Sequence, residues 1–119
     1  MGLTFTDLEI SSDRGTSKKQ RLQLLIDSGA EYSVVPREQL EVLGIKPYRT
    51  VRICLADGSL LERDAGDAFF HYQGEHAPSP VIFGEKDDEA LLGVVTLETL
   101  GFMLDPLSRR IIKRKILRG

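Results

Sequence analysis

One tightly specified turn constrains the fold of this chain more than any other feature. The apolar run Leu24-Leu25-Ile26 ends on Asp27-Ser28-Gly29-Ala30, and the chain becomes apolar again at Val34-Val35. This pattern is typical of a buried strand that leads into a loop whose two ends are both anchored in the core. Gly29 lets another part of the backbone approach the loop closely.

The residues of the turn leave three roles open for Asp27. It can be a turn or helix-cap residue, because Asp and Ser side chains bond readily to nearby backbone donors. It can be a metal ligand, or it can be a catalytic carboxylate that a rigid loop holds in place. The Asp-Ser-Gly tripeptide does not decide between these roles.

Short segments separated by turn residues predict the rest of the fold. Asp57-Gly58 between two strand-like runs is a strong hairpin signal. We expect an all-β fold, mainly β with one or two short helices, that closes into a barrel-like structure. The predicted strands cover 3–12, 21–27, two paired segments within 49–74, 79–85, 102–106 and 110–117. The predicted helices cover 36–44 and 96–100. Loops are predicted at 13–20 and 85–89, and a turn at Asp105-Pro106.

The composition fits one globular domain over residues 1–119. The net charge of −2 argues against nonspecific nucleic-acid binding as the main role. The lone Cys54 cannot form an internal disulfide, which favours a reducing compartment. No apolar run approaches the length of a membrane span, and no secretory leader is recognisable. We therefore expect a cytoplasmic protein that does not bind membranes.

Three motifs occur in a fixed order and together resemble a known family. They are Asp27-Ser28-Gly29-Ala30, the hairpin around Ala56-Asp57-Gly58-Ser59, and Leu91-Leu92-Gly93 before a short helix. Over about residues 20–117 the chain resembles the retroviral-type, single-lobe aspartic proteases, and most of all their small prokaryotic branch. The resemblance implies half of an acid-protease fold, endopeptidase activity on a protein or peptide substrate, and no cofactor.

The resemblance also implies a mechanism that needs two chains. The family uses two facing aspartates that share one proton, because like charges so close cannot both ionise. One carboxylate acts as base to a water molecule and the protonated one hydrogen-bonds the peptide carbonyl. This chain has a single Asp-Ser-Gly motif. An obligate homodimer with Asp27 from each subunit at the two-fold axis is therefore implied.

Individual roles follow from the matched motifs. Asp27 is the implied catalytic group. Ser28, Gly29 and Ala30, with Leu92 and Gly93 behind them, would support the catalytic loop. Substrate contacts are implied for Gly29, Glu31, Asp57, Gly58 and Ser59. Ala30 has no hydroxyl group to donate to the carboxylates, so we expect activity at mildly acidic to neutral pH.

Several alternatives stay open at this level. The same fold can serve as a non-catalytic, dimeric peptide-binding or scaffolding module. His71, His76 and Glu75 lack the spacing of a metal site, so none is predicted. The acidic segment 85–90 is either a solvated loop or a cleft wall that prefers basic substrates. The basic tail 109–119 either is a strand with Lys and Arg on its solvent-exposed face or is a contact for RNA or an acidic partner.

Overall fold

The computed structural model describes residues 4–15, 18–105 and 107–113. Nine strands and two short helices lie within these ranges, so the predicted mainly β fold with short helices is confirmed. The strands are β1 Phe5–Ser11, β2 Gln20–Ile26, β3 Ser33–Pro36, β4 Arg49–Cys54, β5 Leu60–Tyr72, β6 Glu75–Gly84, β7 Leu91–Leu92, β8 Phe102–Leu104 and β9 Ile111–Lys113, and the helices are α1 Arg37–Val42 and α2 Val94–Leu100.

Seven strands form one sheet in the order β1-β2-β7-β3-β6-β5-β4. β1 runs antiparallel to β2, and its last residues, Glu9–Ser11, also pair with β5. Six strands therefore form a continuous circuit of hydrogen-bonded neighbours. β4 lies outside this circuit and, among the described residues, pairs with β5 alone, whereas β8 and β9 form a separate two-stranded sheet.

The core is built from residues of all six strands of this circuit, together with residues of α1, α2 and β8. Alternate residues are buried in the first two strands, Leu8 and Ile10 in β1 and Leu24 and Ile26 in β2. Both helices add buried leucines that cover the core. The largest fully buried side chains include Phe70, Phe83, Ile10, Leu24, Leu40 and Leu92.

β6 begins at Glu75 rather than at residue 79 as predicted. Gln73 and Gly74 both have positive φ, which is the geometry of a tight turn joining β5 to β6. Pro78 and Pro80 obscured the strand in the sequence. Both lie where β6 pairs with β5 alone, because the pairing with β3 starts at Val81, and proline is tolerated on such an edge.

β3 is a strand that sequence reasoning did not separate from the Asp27 segment. It pairs parallel to β6, and its Val34 pairs with Leu91 of β7. Four residues are too few to show an alternating pattern, which explains the omission.

The predicted bounds of the helix and of the C-terminal strands also shift. α1 is shorter than predicted, because Pro36 forms its N-cap. Pro106 of the predicted turn and residues 114–117 of the last predicted strand lie outside the described residues. The basic tail predicted over 109–119 is described only as far as Lys113, which pairs with Glu75 at 3.1 Å.

Candidate active site

Asp27 follows the last residue of β2 and begins a tight turn. The amide of Ala30 donates to the carbonyl of Asp27 at 3.1 Å, which closes the turn. The carboxylate Oδ1 accepts from the amide of Gly29 at 2.9 Å. Among the described residues nothing donates to Oδ2, and no cation forms an ion pair with Asp27. The carboxylate thus fixes its own loop with one oxygen and leaves the other available.

The turn is braced from behind by the Leu92-Gly93 segment. The amide of Asp27 donates to the carbonyl of Leu92 at 3.2 Å, in line with the parallel pairing of β2 and β7. The first two amides of α2, Val94 and Val95, donate to the carbonyls of Ala30 and Glu31 at 2.9 and 3.0 Å. These two amides have no partner within the helix, so the loop satisfies them.

Gly93 has no room for a side chain. A Cβ atom built there would lie 2.5 Å from the carbonyl carbon of Tyr32 and 2.8 Å from the carbonyl oxygen of Glu31. The Asp27 loop and the start of α2 therefore touch backbone to backbone. Glycine at this position is required by close approach, since its own φ is not left-handed.

A chain of buried hydroxyl groups extends this contact into the core. The amide of Gly93 donates to Ser33 Oγ at 2.9 Å, and Ser33 Oγ lies 2.6 Å from Thr96 Oγ1. Thr96 Oγ1 lies 2.8 Å from Ser79 Oγ, which donates to the carbonyl of Pro80 at 3.2 Å. Because each hydroxyl has one hydrogen, the bonds run in one direction from Gly93 to Pro80. Sequence reasoning missed this chain, since Ser and Thr in apolar runs carry no distinctive signal.

An apolar groove leads away from the Asp27 loop beneath β4. Its proximal cavity, of about 360 Å³, is lined by Gly29, Ala30, Glu31 and Tyr32 of the loop and by Val51–Cys54 of β4. Its distal cavity, of about 310 Å³, reaches Asp87–Glu89. The two cavities share the walls Val34, Ile53, Ile82 and Leu91. These shared walls make the two cavities neighbouring parts of one groove.

The tip of the hairpin between β4 and β5, formed by Asp57, Gly58 and Ser59, does not line this groove, although Leu55 at the base of the turn does. The amide of Gly58, which has φ of +87°, donates to the carbonyl of Leu55 at 2.9 Å. Asp57 accepts from both the amide and the hydroxyl of Ser59, and these bonds lower the pKa of Asp57. The structure therefore brings Gly29, Ala30 and Glu31 together with β4, and leaves Asp57, Gly58 and Ser59 apart from them.

Asp27 and Ser28 are not among the residues that line the groove, and they face a separate, smaller cavity of about 270 Å³. Its remaining walls come from both ends of the described chain, including Thr4, Leu104 and Arg109. Ser28 is exposed, and its hydroxyl has no partner among the described residues. Thr4 and Arg109 were not predicted, because nothing in the sequence links residues so far apart.

The acidic segment at the distal end of the groove is partly neutralised. Arg63 of β5 binds both oxygens of Asp88, at 2.7 and 2.9 Å, and this pairing lowers the pKa of Asp88. Arg37 of α1 binds Glu85 and Asp64 at 2.9 and 2.7 Å. The segment is thereby tied to β5 and α1, and is held more firmly than a free surface loop.

The two histidines bond to each other rather than forming a ligand cluster. His71 Nδ1 lies 2.7 Å from His76 Nδ1, and His71 Nε2 lies 2.6 Å from Ser11 Oγ. Within the described ranges no group of three or more His, Cys, Asp or Glu side chains could hold a metal ion. In the same ranges no helix is long and apolar enough to cross a membrane.

One of the solved structures similar to this chain is that of a viral protein. The solution structure of simian foamy virus (mac) protease shares 28% sequence identity with this chain, with a TM-score of 0.48. The match covers 74% of this chain and 87% of the viral chain. No protein-family model and no curated protein matches the chain.

Proposed function

We propose that this chain is a retroviral-type aspartic endopeptidase, of the small prokaryotic branch, that acts as a homodimer. Each subunit would contribute one Asp27 to a site that hydrolyses peptide bonds. Residues 1–119 would form a single domain in each subunit, with the strand circuit closed as a barrel. No cofactor takes part in this reaction.

One observation carries the proposal: the Asp27 carboxylate is held on a braced turn, with one oxygen unbonded among the described residues, and the next residues of that turn, Gly29 and Ala30, line an apolar groove. A side chain that only capped its turn would need neither the brace from Leu92 nor the contact with α2. Catalytic groups need such positioning, since small displacements of a reacting group reduce the rate strongly.

The reaction would use two Asp27 side chains that share one proton. Two carboxylates at such close range cannot both ionise, so one is protonated. The ionised carboxylate removes a proton from a water molecule, which attacks the carbonyl carbon of the substrate. The protonated carboxylate donates to the carbonyl oxygen, and the proton that the base gained then passes to the leaving amine.

The other residues of the loop would serve this dyad and its substrate. Ser28, whose hydroxyl has no partner among the described residues of one subunit, would bond across the two-fold axis and join the two turns. Gly29 would leave room for the substrate backbone, and Glu31 would accept one of its amides. The hairpin at Asp57, Gly58 and Ser59 would close over the peptide and exclude water.

Two residues, Ala30 and Cys54, indicate the conditions under which the dimer would be active. Ala30 supplies no hydroxyl to the dyad, so we expect the shared proton to be retained to mildly acidic or neutral pH. Cys54 is a free, exposed thiol, which suits a reducing compartment such as the cytoplasm.

The test compares the parent protein with Asp27→Asn on a denatured protein mixture between about pH 4 and pH 8, a range that spans the titration of carboxyl and imidazole groups. We expect cleavage by the parent and none by the variant. Asp7→Asn is the matched control, because Asp7 is an exposed carboxylate of β1 remote from the turn, and it should cleave like the parent. No cleavage by the parent, with peptides still bound, would instead support a dimeric peptide-binding module.

A further inference from the structure

The distal cavity of the groove combines apolar walls with an acidic rim. Its walls include Leu55 and Leu61 of the β4–β5 hairpin, in addition to the four apolar residues shared with the proximal cavity. Its rim is formed by Asp87, Asp88 and Glu89, with Arg63 as the one cation among the lining residues. Acidic side chains and apolar walls therefore face the same space.

The rim has a net negative charge. The only lining cation is engaged with Asp88 through both of its carboxylate oxygens. Asp87 and Glu89 are exposed, and neither has a hydrogen bond or an ion pair within the described part of the chain. Lys86, next to Asp87 in sequence, is not part of the lining and pairs with neither carboxylate. Two negative charges are thus left without a partner.

This combination matches one kind of substrate side chain. Lysine and arginine have an apolar stem that packs on hydrophobic walls and a cationic head that stays near water. A purely apolar side chain would fill the cavity but reduce the hydration of two carboxylates. An acidic side chain would meet like charge at the rim and be rejected.

We propose that the distal cavity selects a lysine or arginine side chain of the peptide bound in the groove, with Asp87 and Glu89 as the specificity-determining residues. This inference rests on the proposed peptidase function and adds the class of substrate. Arg63 would act as a positioning residue that holds Asp88, and with it the rim, against β5.

The test maps the cleavage sites of a denatured protein mixture by mass spectrometry. The parent should favour lysine or arginine at one position near the cleaved bond, and the double variant Asp87→Asn/Glu89→Gln should lose this preference. Glu98→Gln is the matched control, since it removes an exposed carboxylate of α2 outside the groove, and it should keep the preference.

A synthetic peptide then isolates the contribution of charge. Replacing the favoured lysine by norleucine keeps the stem and removes the cation. With the parent we expect kcat/KM to be about three- to tenfold higher for the lysine peptide, the range for two partly solvated ion pairs. The ratio should shrink toward unity in the double variant and at high salt. An equal kcat/KM for both peptides, or an unchanged ratio in the double variant, would overturn the inference while leaving the peptidase assignment intact.

Binding separates this inference from the proposed function. Fluorescence anisotropy of the labelled lysine and norleucine peptides is measured with Asp27→Asn, alone and combined with the rim substitutions. If the parent shows no cleavage, and Asp27→Asn still prefers the lysine peptide through Asp87 and Glu89, the peptidase assignment fails and the charge preference stands. If neither cleavage nor a charge preference is found, both fail.

Discussion

Two turns of this molecule share the same local chemistry and differ in everything around it. In each, an aspartate Oδ1 accepts from the backbone amide two residues later, at 2.9 Å from Gly29 in one and from Ser59 in the other. The Asp27 turn is also bonded to Leu92 and to the first turn of α2. The Asp57 turn ends an exposed hairpin whose outer strand has only one neighbour. The distant bracing, rather than the turn itself, distinguishes a position suited to catalysis.

The largest expected effect comes from breaking the brace at Gly93. In Gly93→Ala the new Cβ would lie 2.5 Å from the carbonyl carbon of Tyr32, so the loop and the helix must separate. We expect a loss of about 3 kcal/mol in the free energy of unfolding, measured by urea denaturation, together with loss of activity. Gly15→Ala is the control, because no atom lies within 4 Å of its Cβ. Equal stability of the two variants would contradict the bracing.

The next largest loss of stability is expected when the chain of buried hydroxyl groups near the same turn is broken. Thr96→Val keeps the volume but leaves the buried hydroxyls of Ser33 and Ser79 each without one partner. We expect a loss of about 2 kcal/mol. Thr99→Val in the same helix removes an exposed hydroxyl that bonds only to the carbonyl of Val95, so its cost should be clearly smaller. A larger loss for Thr99→Val would show that the buried chain does not support the site.

The contrast between buried and exposed groups also predicts a pH dependence. Burial lowers the pKa of His71 from its usual 6.5, so the folded state binds this proton less readily than the unfolded state. The free energy of unfolding should therefore be undiminished by His71 above about pH 6.5. It should decrease as the pH drops below this value, by no more than about 1.4 kcal/mol per pH unit. Urea denaturation between about pH 5 and 8 measures the slope, which His71→Gln should reduce. A rise in stability on acidification would contradict this sign.

The smallest stability effect belongs to the hairpin turn. Gly58 has φ of +87°, so Gly58→Ala strains the backbone, and we expect a loss of about 1 kcal/mol. Gly29→Ala is the counterpart in the braced turn, where φ is not left-handed and the new Cβ lies 3.3 Å from Asp27 Oδ1. We expect it to reduce kcat more than stability. If Gly58→Ala and Gly29→Ala lose activity in the same proportion to their loss of stability, the two turns do not differ in function.

The comparison also explains what the sequence could and could not predict. The Asp27 turn and the Asp57-Gly58 hairpin were predictable, because their residues fix the local backbone. The end of the second helix at residue 100 was equally predictable, because Gly101 follows it and adopts a φ of 90° as its C-cap. Each of these features is decided within about five residues of chain, the scale on which turn chemistry acts.

Features that depend on pairing between distant residues were not predictable. β3 exists because it finds partner strands far away in sequence, β6 and β7. The hydroxyl chain joins Ser33, Ser79 and Thr96, and Arg109 reaches the cavity at Asp27 from the other end of the chain. Such contacts follow from the tertiary fold, and no local sequence pattern predicts them.

The most direct test of the central claim is a subunit-mixing curve. Parent and Asp27→Asn chains are unfolded together, refolded in varied proportions at constant total concentration, and assayed for cleavage. If two Asp27 side chains form one site, an equal mixture should keep about a quarter of the parent activity, the chance that two randomly assorted subunits are both parental. About half the parent activity, in linear proportion to the parent fraction, would show that each chain acts alone and would contradict the shared site.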